Sequence, residues 1–481
     1  MSVDSQKKFY ITTPIFYPNA NLHMGHAYST TVSDIIARYE RLNFGKEGVY
    51  FLTGADENTE KVVRAAKAVG KETREYLDGI VANFKSLFSD LEISYDQFIR
   101  TSDEKVHWPG AVELWKRIAA AGDLEKRTYE GLYCVGHEAF ITEKDLVNGK
   151  CPDHNETPQT LKEENYFFKL SKYTQRIKEE IESGQFNIIP HTRKNEILAQ
   201  LERGLEDISF SRPAEKVSMG IPVPGDETQK MYVWCDALAN YISALGFGTA
   251  DDFLYKKFWP ADVHVIGKDI LRFHAAIWPG MLLSARLPLP KKLFVHGFIT
   301  SGGKKMSKSL GNVIDPVELI RKYGAEAVRY FLARHITPFE DGDITLQSFK
   351  DVYNANLANG LGNLVSRTLT MANKNGVELL EKREELDPKF VEAMEKFEIN
   401  KAADIVWQKI SEADEYVQKN EPFKKIKTDE TGAKKDIAHL LFLLHEIAFH
   451  LQPILPQTAG TILDLVSSSK IPTAPLFPRK E

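Results

Sequence analysis

The stretch from Lys8 to His26, KFYITTPIFYPNANLHMGH, decides how the chain is read. Lys8 to Thr13 reads as a buried strand, which Pro14, Pro18, Asn19 and Asn21 then break. After them Val32, Ile35, Ile36 and Tyr39 recur at the spacing of one helix face. A second strand, Val49 to Thr53, runs into Gly54-Ala55-Asp56 and a charged helical stretch. Strand, loop, helix and strand predict the opening β-α-β unit of a doubly wound sheet, whose ligands sit at the carboxyl ends of the strands.

Beyond this opening, Arg127 to Phe168 breaks into short, irregular pieces that carry two cysteines and two histidines, a pattern that predicts a small inserted module. Apolar runs resume at Met231 to Trp234, His264 to Ile266 and Leu293 to Phe298, as though an interrupted sheet were being completed. From about Phe349 the pattern is helical, with Phe349, Tyr353, Leu357, Leu361, Leu364 and Val365 on one apolar stripe. The expected division is 1–120 and 226–345 for the two halves of an α/β domain. The insertion takes 121–225, with its knuckle at about 127–168, and an all-α domain takes 346–481.

The chain has 481 residues, 43% of them hydrophobic and 27% charged, enough apolar material for several cores. A net charge of -5 excludes a uniformly basic nucleic-acid binder but leaves room for local basic patches. Cysteine is confined to Cys134, Cys151 and Cys235, which excludes a disulfide framework and fits a reducing compartment. No run approaches the roughly 20 apolar residues of a membrane span, and the start from Met1 to Lys8 is polar, so a cytoplasmic protein is expected.

His23-Met24-Gly25-His26 falls in the loop before the first helix. There a glycine lets a nucleotide approach the backbone, and the helix amino end favours phosphate. Two imidazoles at that point can donate to phosphate oxygens as charge develops; the alternatives are plain loop histidines or a metal site. Far along the chain Gly302-Gly303-Lys304-Lys305-Met306-Ser307-Lys308-Ser309 is a glycine-opened, lysine-rich loop. It suits either a clamp on a triphosphate or a solvated basic turn.

Together, in this order, the two segments resemble the HIGH and KMSKS signatures of the class I aminoacyl-tRNA synthetases, with Met24 in the place of Ile. The likeness narrows to the methionine-specific branch and runs from Phe9 to the last helices. It implies a Rossmann-type catalytic domain, an inserted zinc-knuckle-like module and a C-terminal helical anticodon-binding domain. It also implies activation of methionine by ATP with Mg2+ and transfer to tRNA(Met). His23, His26, Lys305 and Lys308 become the catalytic set. Ile15, Tyr17, Asp56, Trp234, Ala237, Leu238, Tyr241, Ile270, Phe273 and His274 become the methionine site, with Asp56 on the ammonium group and aromatic faces around the thioether. Gly25, Gly267, Lys268, Asp269, His296, Gly297, Phe298 and Ile299 join the histidines and lysines at ATP, with Asp269 on the ribose. The chain departs from many relatives at Asn58-Thr59, which stands where they read His-Gly.

Cys134 with His137 and Cys151 with His154 form two Cys-x2-His pairs at zinc-knuckle spacing. Either they hold a structural Zn2+, with no open position for catalysis, or the knuckle is held by packing alone. Asn359, Asn363 and Arg367 recur at steps of four beside the apolar stripe, suited to the edges of unpaired bases or to a plain polar face. The family's anticodon-reading helix has the same row, and Glu421-Pro422-Phe423 resembles its second element. Phe423 stands there where Trp is usual and can still stack on a base. The rival readings are a synthetase for Val, Ile or Leu, a tRNA-binding protein without turnover, and a small adenylyltransferase using HxGH alone. The chain ends soon after the helical domain, without an appended dimer-forming module, so a monomer is expected.

Overall fold

The computed structural model describes residues 8–134, 139–141, 143, 146–152, 155–306 and 311–481. Six strands make the main sheet: β1 (Phe9–Phe16), β2 (Val49–Ala55), β3 (Gln97–Arg100), β4 (Asn187–Ile189), β5 (Val263–Gly267) and β6 (Lys292–His296). Their order is β3-β2-β1-β5-β6-β4. Ile11 lies against Val263, Leu52 against Gln97 and Lys292 against Asn187, each in a parallel pair. The strand order reverses between β1 and β5, which opens a crevice past their carboxyl ends. Pro14 does not end β1 as a breaker should; the strand runs on to Phe16. A proline near a strand end keeps an acceptable φ and forfeits only one donor.

The chain packs as two compact units. The first comprises the described residues up to Asn21 together with Tyr50–Asn83 and Tyr95–Val295. It holds the main sheet around a core that includes Tyr10, Leu52, Phe168, Trp278 and Val295. The inserted stretch differs from the irregular pieces expected of it. Leu124–Cys134 and Gln159–Phe168 form one long antiparallel ribbon, paired from Leu124 with Phe168 to Tyr133 with Gln159. Along Leu124–Cys134 the residues are exposed or half-buried until the buried Cys134, and the less exposed positions include Arg127 and Gly131, so the sequence carries no apolar alternation to reveal the strand. The apolar run at Met231 is also corrected: a strand, Asp226–Met231, ends there, and Val233–Leu238 is a helix. Short apolar runs do not distinguish the two by periodicity.

The second unit comprises Leu22–Val49, Phe84–Ser94 and His296–Glu481. It contains the helix Met24–Phe44, a small sheet of Lys304–Lys305, Ile299–Ser301 and Gly342–Asp343, and the long helices Ile399–Asn420 and Glu430–Leu451. Phe349, Tyr353, Leu357, Leu361, Leu364 and Val365 are all buried, as the stripe predicts. The helix carrying them changes winding: Tyr353–Gly362 is a π-helix of 10 residues between the α-helices Leu346–Val352 and Asn363–Asn375. At the start of Pro456–Ser468 the Glu326 carboxylate accepts the backbone N–H groups of Gln457 at 2.7 Å and Thr458 at 2.9 Å. It thereby caps a helix from a distant part of the chain. Among the described residues no helix is long and apolar enough to cross a membrane.

Candidate active site

In the first unit the crevice side of the sheet collects most of the residues singled out around methionine. Ile15 and Tyr17 lie at the end of β1, and Asp56 directly follows β2. Gly54 keeps room for Ile15: a Cβ there would sit 2.3 Å from the Ile99 carbonyl oxygen and 3.0 Å from the Ile15 side chain. Trp234 and Phe273 stack with ring centroids 3.7 Å apart and planes 15° apart, and His274 stands edge-on to Trp234 at 6.2 Å.

The burial of these residues divides them. Ile15, Tyr17, Trp234, Ile270 and Phe273 are half-buried on the surface of the core, whereas Ala237, Leu238, Tyr241 and His274 lie buried within it. The first group packs onto the core from its surface, and the second lies behind that surface.

The backing is hydrogen-bonded. His274 Nδ1 lies 3.0 Å from the Ile270 carbonyl, which can only accept, so this nitrogen carries the proton and Nε2 accepts the Tyr241 hydroxyl at 2.7 Å. Burial pushes His274 down to about 4, which keeps the ring neutral. Burial raises the Tyr241 phenol, with a smaller push from the charge of Asp56. Behind them, His264 accepts the indole N–H of Trp278 at 3.3 Å and gives its Nδ1 proton to Thr12 at 2.7 Å. Gly267 ends β5, and Lys268, Asp269 and Ile270 form the short turn after it, with Asp269 exposed.

In the second unit His23 caps the helix Met24–Phe44. Its Nδ1 accepts the Gly25 N–H at 3.0 Å, while His26 Nδ1 accepts the His23 N–H at 3.1 Å. A nitrogen that accepts cannot carry the proton, so both rings hold theirs on Nε2. The rings lie 3.9 Å apart, and burial together with His23 lowers His26 well below the usual histidine value. Two neutral donors at a helix amino end result. Gly25 is required by the cap itself, because a Cβ would come within 2.9 Å of the His23 ring.

His296 is buried and spends both nitrogens inside the protein, on Ser29 Oγ at 2.6 Å and the Gly297 carbonyl at 2.7 Å. A contact from this segment to an adenine would therefore come from backbone or from Phe298 and Ile299. Gly297 allows a close backbone approach, since a Cβ there would meet the Glu340 carbonyl oxygen at 2.0 Å. The lysine loop begins as a hairpin that pairs Thr300 with Lys305. Gly302 and Gly303 both have positive φ, 63° and 70°, as a tight primed turn demands. Asp343 Oδ1 anchors the turn on the Gly303 N–H at 2.8 Å. Lys305 is exposed; Lys308 lies outside the described residues.

Asn359 and Asn363 are exposed, and Arg367 is half-buried, 3.6 Å from Asp414. Asn359 lies within the π-helix and the other two within the α-helix after it, so their steps of four are not equal rotations. Pro422 is buried and starts a short helix, and Phe423 is 44% exposed. Cys134 ends its strand and Cys151 opens a turn, both buried; His137 and His154 lie outside the described residues. Sequence reasoning missed His107 and Asp236, which are fully buried and joined to each other. Asp236 stands inside a quoted stretch, but no local signal marks His107.

A doubly wound sheet with a histidine pair at its first helix and a glycine-lysine hairpin late in the chain fits a class I aminoacyl-tRNA synthetase, and the comparisons with known proteins show that class. The family model described as tRNA synthetases class I (M) matches residues 9–158 and 145–369. The one for the anticodon binding domain of methionyl tRNA ligase matches 370–474. The methionine–tRNA ligase of Clostridium perfringens is 44% identical over 474 residues, which are 95% of this chain and 73% of that protein. That of Caldanaerobacter subterraneus is 42% identical over 471 residues, 94% and 73% of the two chains. The Mycobacterium tuberculosis methionyl-tRNA synthetase in complex with methionyl-adenylate superposes with a TM-score of 0.90 at 35% identity, covering 98% of this chain and all of that one. The chain belongs to the methionyl-tRNA synthetase family of class I.

Proposed function

We propose that the chain activates L-methionine with ATP and Mg2+ to methionyl-adenylate and transfers the methionyl group to tRNA(Met), acting as a monomer. The observation that carries the substrate assignment is the stacked Trp234–Phe273 wall backed by the neutral Tyr241–His274 pair, in the unit where the buried Asp56 directly follows β2. Such a surface suits a polarizable thioether at one end and an ammonium group at the other.

Methionine's carboxylate attacks the α-phosphorus, pyrophosphate leaves, and no covalent enzyme intermediate forms. The chain contributes positioning and electrostatics. The Nε2–H groups of His23 and His26 donate to phosphate oxygens, and Lys305 and Lys308 close on the β and γ phosphates. Gly25, Gly267, Lys268, Asp269 and Gly297–Ile299 border the nucleotide. The buried Cys235 thiol is pushed well up by burial and the charge of Asp236, which removes it as a nucleophile. Asn359, Asn363, Arg367 and Phe423 read the anticodon, Phe423 by stacking.

For the insertion we propose a structural Zn2+ on Cys134, His137, Cys151 and His154. The burial of both thiols fits that role, and bound metal would add folding energy to the insertion. Metal analysis of the purified protein tests this, with Cys151→Ala expected to lose the zinc. The test of the main assignment is amino-acid-dependent ATP–pyrophosphate exchange across methionine, isoleucine, valine, leucine and cysteine, with Lys305→Ala as control. Exchange with methionine alone supports it; preference for another amino acid overturns the pocket assignment.

A further inference from the structure

We propose that Asn58, His107 and Asp236 form a positioning set that fixes the walls of the methionine crevice at their working separation, an inference that rests on reading the crevice as the methionine site. The three side chains are buried, His107 and Asp236 completely. Asn58 Nδ2 donates to Asp236 Oδ2 at 2.6 Å and to the Thr101 carbonyl at 3.0 Å. The other oxygen of Asp236 accepts from His107 Nε2, and His107 Nδ1 lies 2.8 Å from Ser243 Oγ.

These anchors stand in a fixed relation to the crevice. Asn58 is two residues after Asp56, Asp236 two after Trp234, and Ser243 two after Tyr241. One buried chain of hydrogen bonds therefore ties together the segment that carries the carboxylate, the helix that carries the aromatic wall, and the helix that carries the backing phenol. The loop of Asp56 is held from its other side as well: Glu57 Oε1 accepts from Arg100 Nε at 2.6 Å, and its backbone N–H donates to Thr101 Oγ1 at 2.8 Å.

Both oxygens of Asp236 and both ring nitrogens of His107 are spent within the set, so it acts on the substrate through Asp56, Trp234 and Tyr241. Stability alone gives little reason for such a group. A buried charged network replaced by well-packed apolar side chains is often no less stable, whereas fixed registry is its best-attested use. Placement errors on the order of 1 Å cost about 100-fold in rate.

The test is pyrophosphate exchange by the full chain with Asp236→Asn, Asn58→Ala and the double variant, measuring KM separately for methionine and ATP alongside Tm. Asp236→Asn turns one of the two acceptors into a donor, which then faces either the Asn58 amide or His107 Nε2. The expected result is a rise of about tenfold or more in KM for methionine, KM for ATP within twofold, and a double variant no worse than the poorer single one. Should Asp236→Asn fail to fold, Asn58→Ala leaves the His107–Asp236 pair intact and carries the same readout. A folded variant with unchanged KM for methionine, or equal rises for both substrates, overturns the positioning role while leaving the crevice assignment standing. Wild-type exchange with a different amino acid overturns both.

Discussion

The Asp34 carboxylate and the Arg329 guanidinium meet at 2.7 Å with neither side chain exposed. Burial alone would raise the Asp34 carboxyl, but Arg329, Arg38 and Ser94 together hold it below its usual value. Arg329 also donates to the carbonyls of Leu91, Pro453 and Ile454. Arg329→Met leaves a buried carboxylate without its main counter-charge, so a loss of about 3–5 kcal/mol is expected in denaturant unfolding at pH 7.

His274 gives a pH dependence. Its folded-state value, about 4, lies below the ordinary 6.5, so the unfolded chain binds more protons between them. The stabilisation is complete above pH 6.5 and is lost as the pH falls toward 4. At pH 5 the loss is about 2 kcal/mol relative to neutral pH. Unfolding free energies at pH 7.5 and 5.0 should show this in the wild type, and His274→Gln should remove that share of the difference.

The aromatic wall predicts a graded effect on methionine. Trp234→Leu keeps bulk against Phe273 but removes the π face, and sulfur–aromatic contacts contribute about 0.3–1.5 kcal/mol. KM for methionine in pyrophosphate exchange should rise about two- to tenfold, with KM for ATP unchanged.

At Gly25 stability and activity should part company. Alanine suits a helix and restricts the unfolded chain, a gain of about 0.4–1 kcal/mol that offsets much of the lost His23 cap, so Tm should change little. The same methyl group pushes the His23 ring out of its cap. A fall of about 100-fold in kcat for exchange, the value of one transition-state donor, is expected.

Phe423→Ala should leave pyrophosphate exchange untouched and lower kcat/KM for tRNA in charging assays. Loss of one base-stacking ring is worth about 1–3 kcal/mol, or roughly 5- to 150-fold. Equal effects on both reactions would point to misfolding instead.

Much of this was legible in the sequence where signals are local. Strand β1, the capping histidines and the glycine pair of the lysine hairpin each announce themselves within a few residues. The long ribbon was not legible, because the half-buried positions of Leu124–Cys134 include Arg127 and Gly131 and so form no apolar alternation. The Trp234 helix read as strand because an apolar run that short fits either. The winding change at Tyr353 leaves the apolar stripe intact, so residue counting from Phe349 to Arg367 misjudges the angle between Asn359 and Asn363. His107 and Asp236 are 129 positions apart, and only the fold makes them partners.

The division of the chain also sets a timetable for its synthesis. Leu22–Val49 belongs to a unit whose remaining parts are Phe84–Ser94 and His296–Glu481. Val32, Ile35 and Ile36, buried in the finished protein, therefore leave the ribosome long before Ile299–Ser301 and Ala325–Arg334, against which their helix packs, have been translated. At about 5–20 residues per second the interval is on the order of 10–50 s. Throughout it the helix that carries the histidine pair presents an apolar face to chaperones. Slowing translation between these segments should lengthen the window for chaperone capture without altering the finished enzyme.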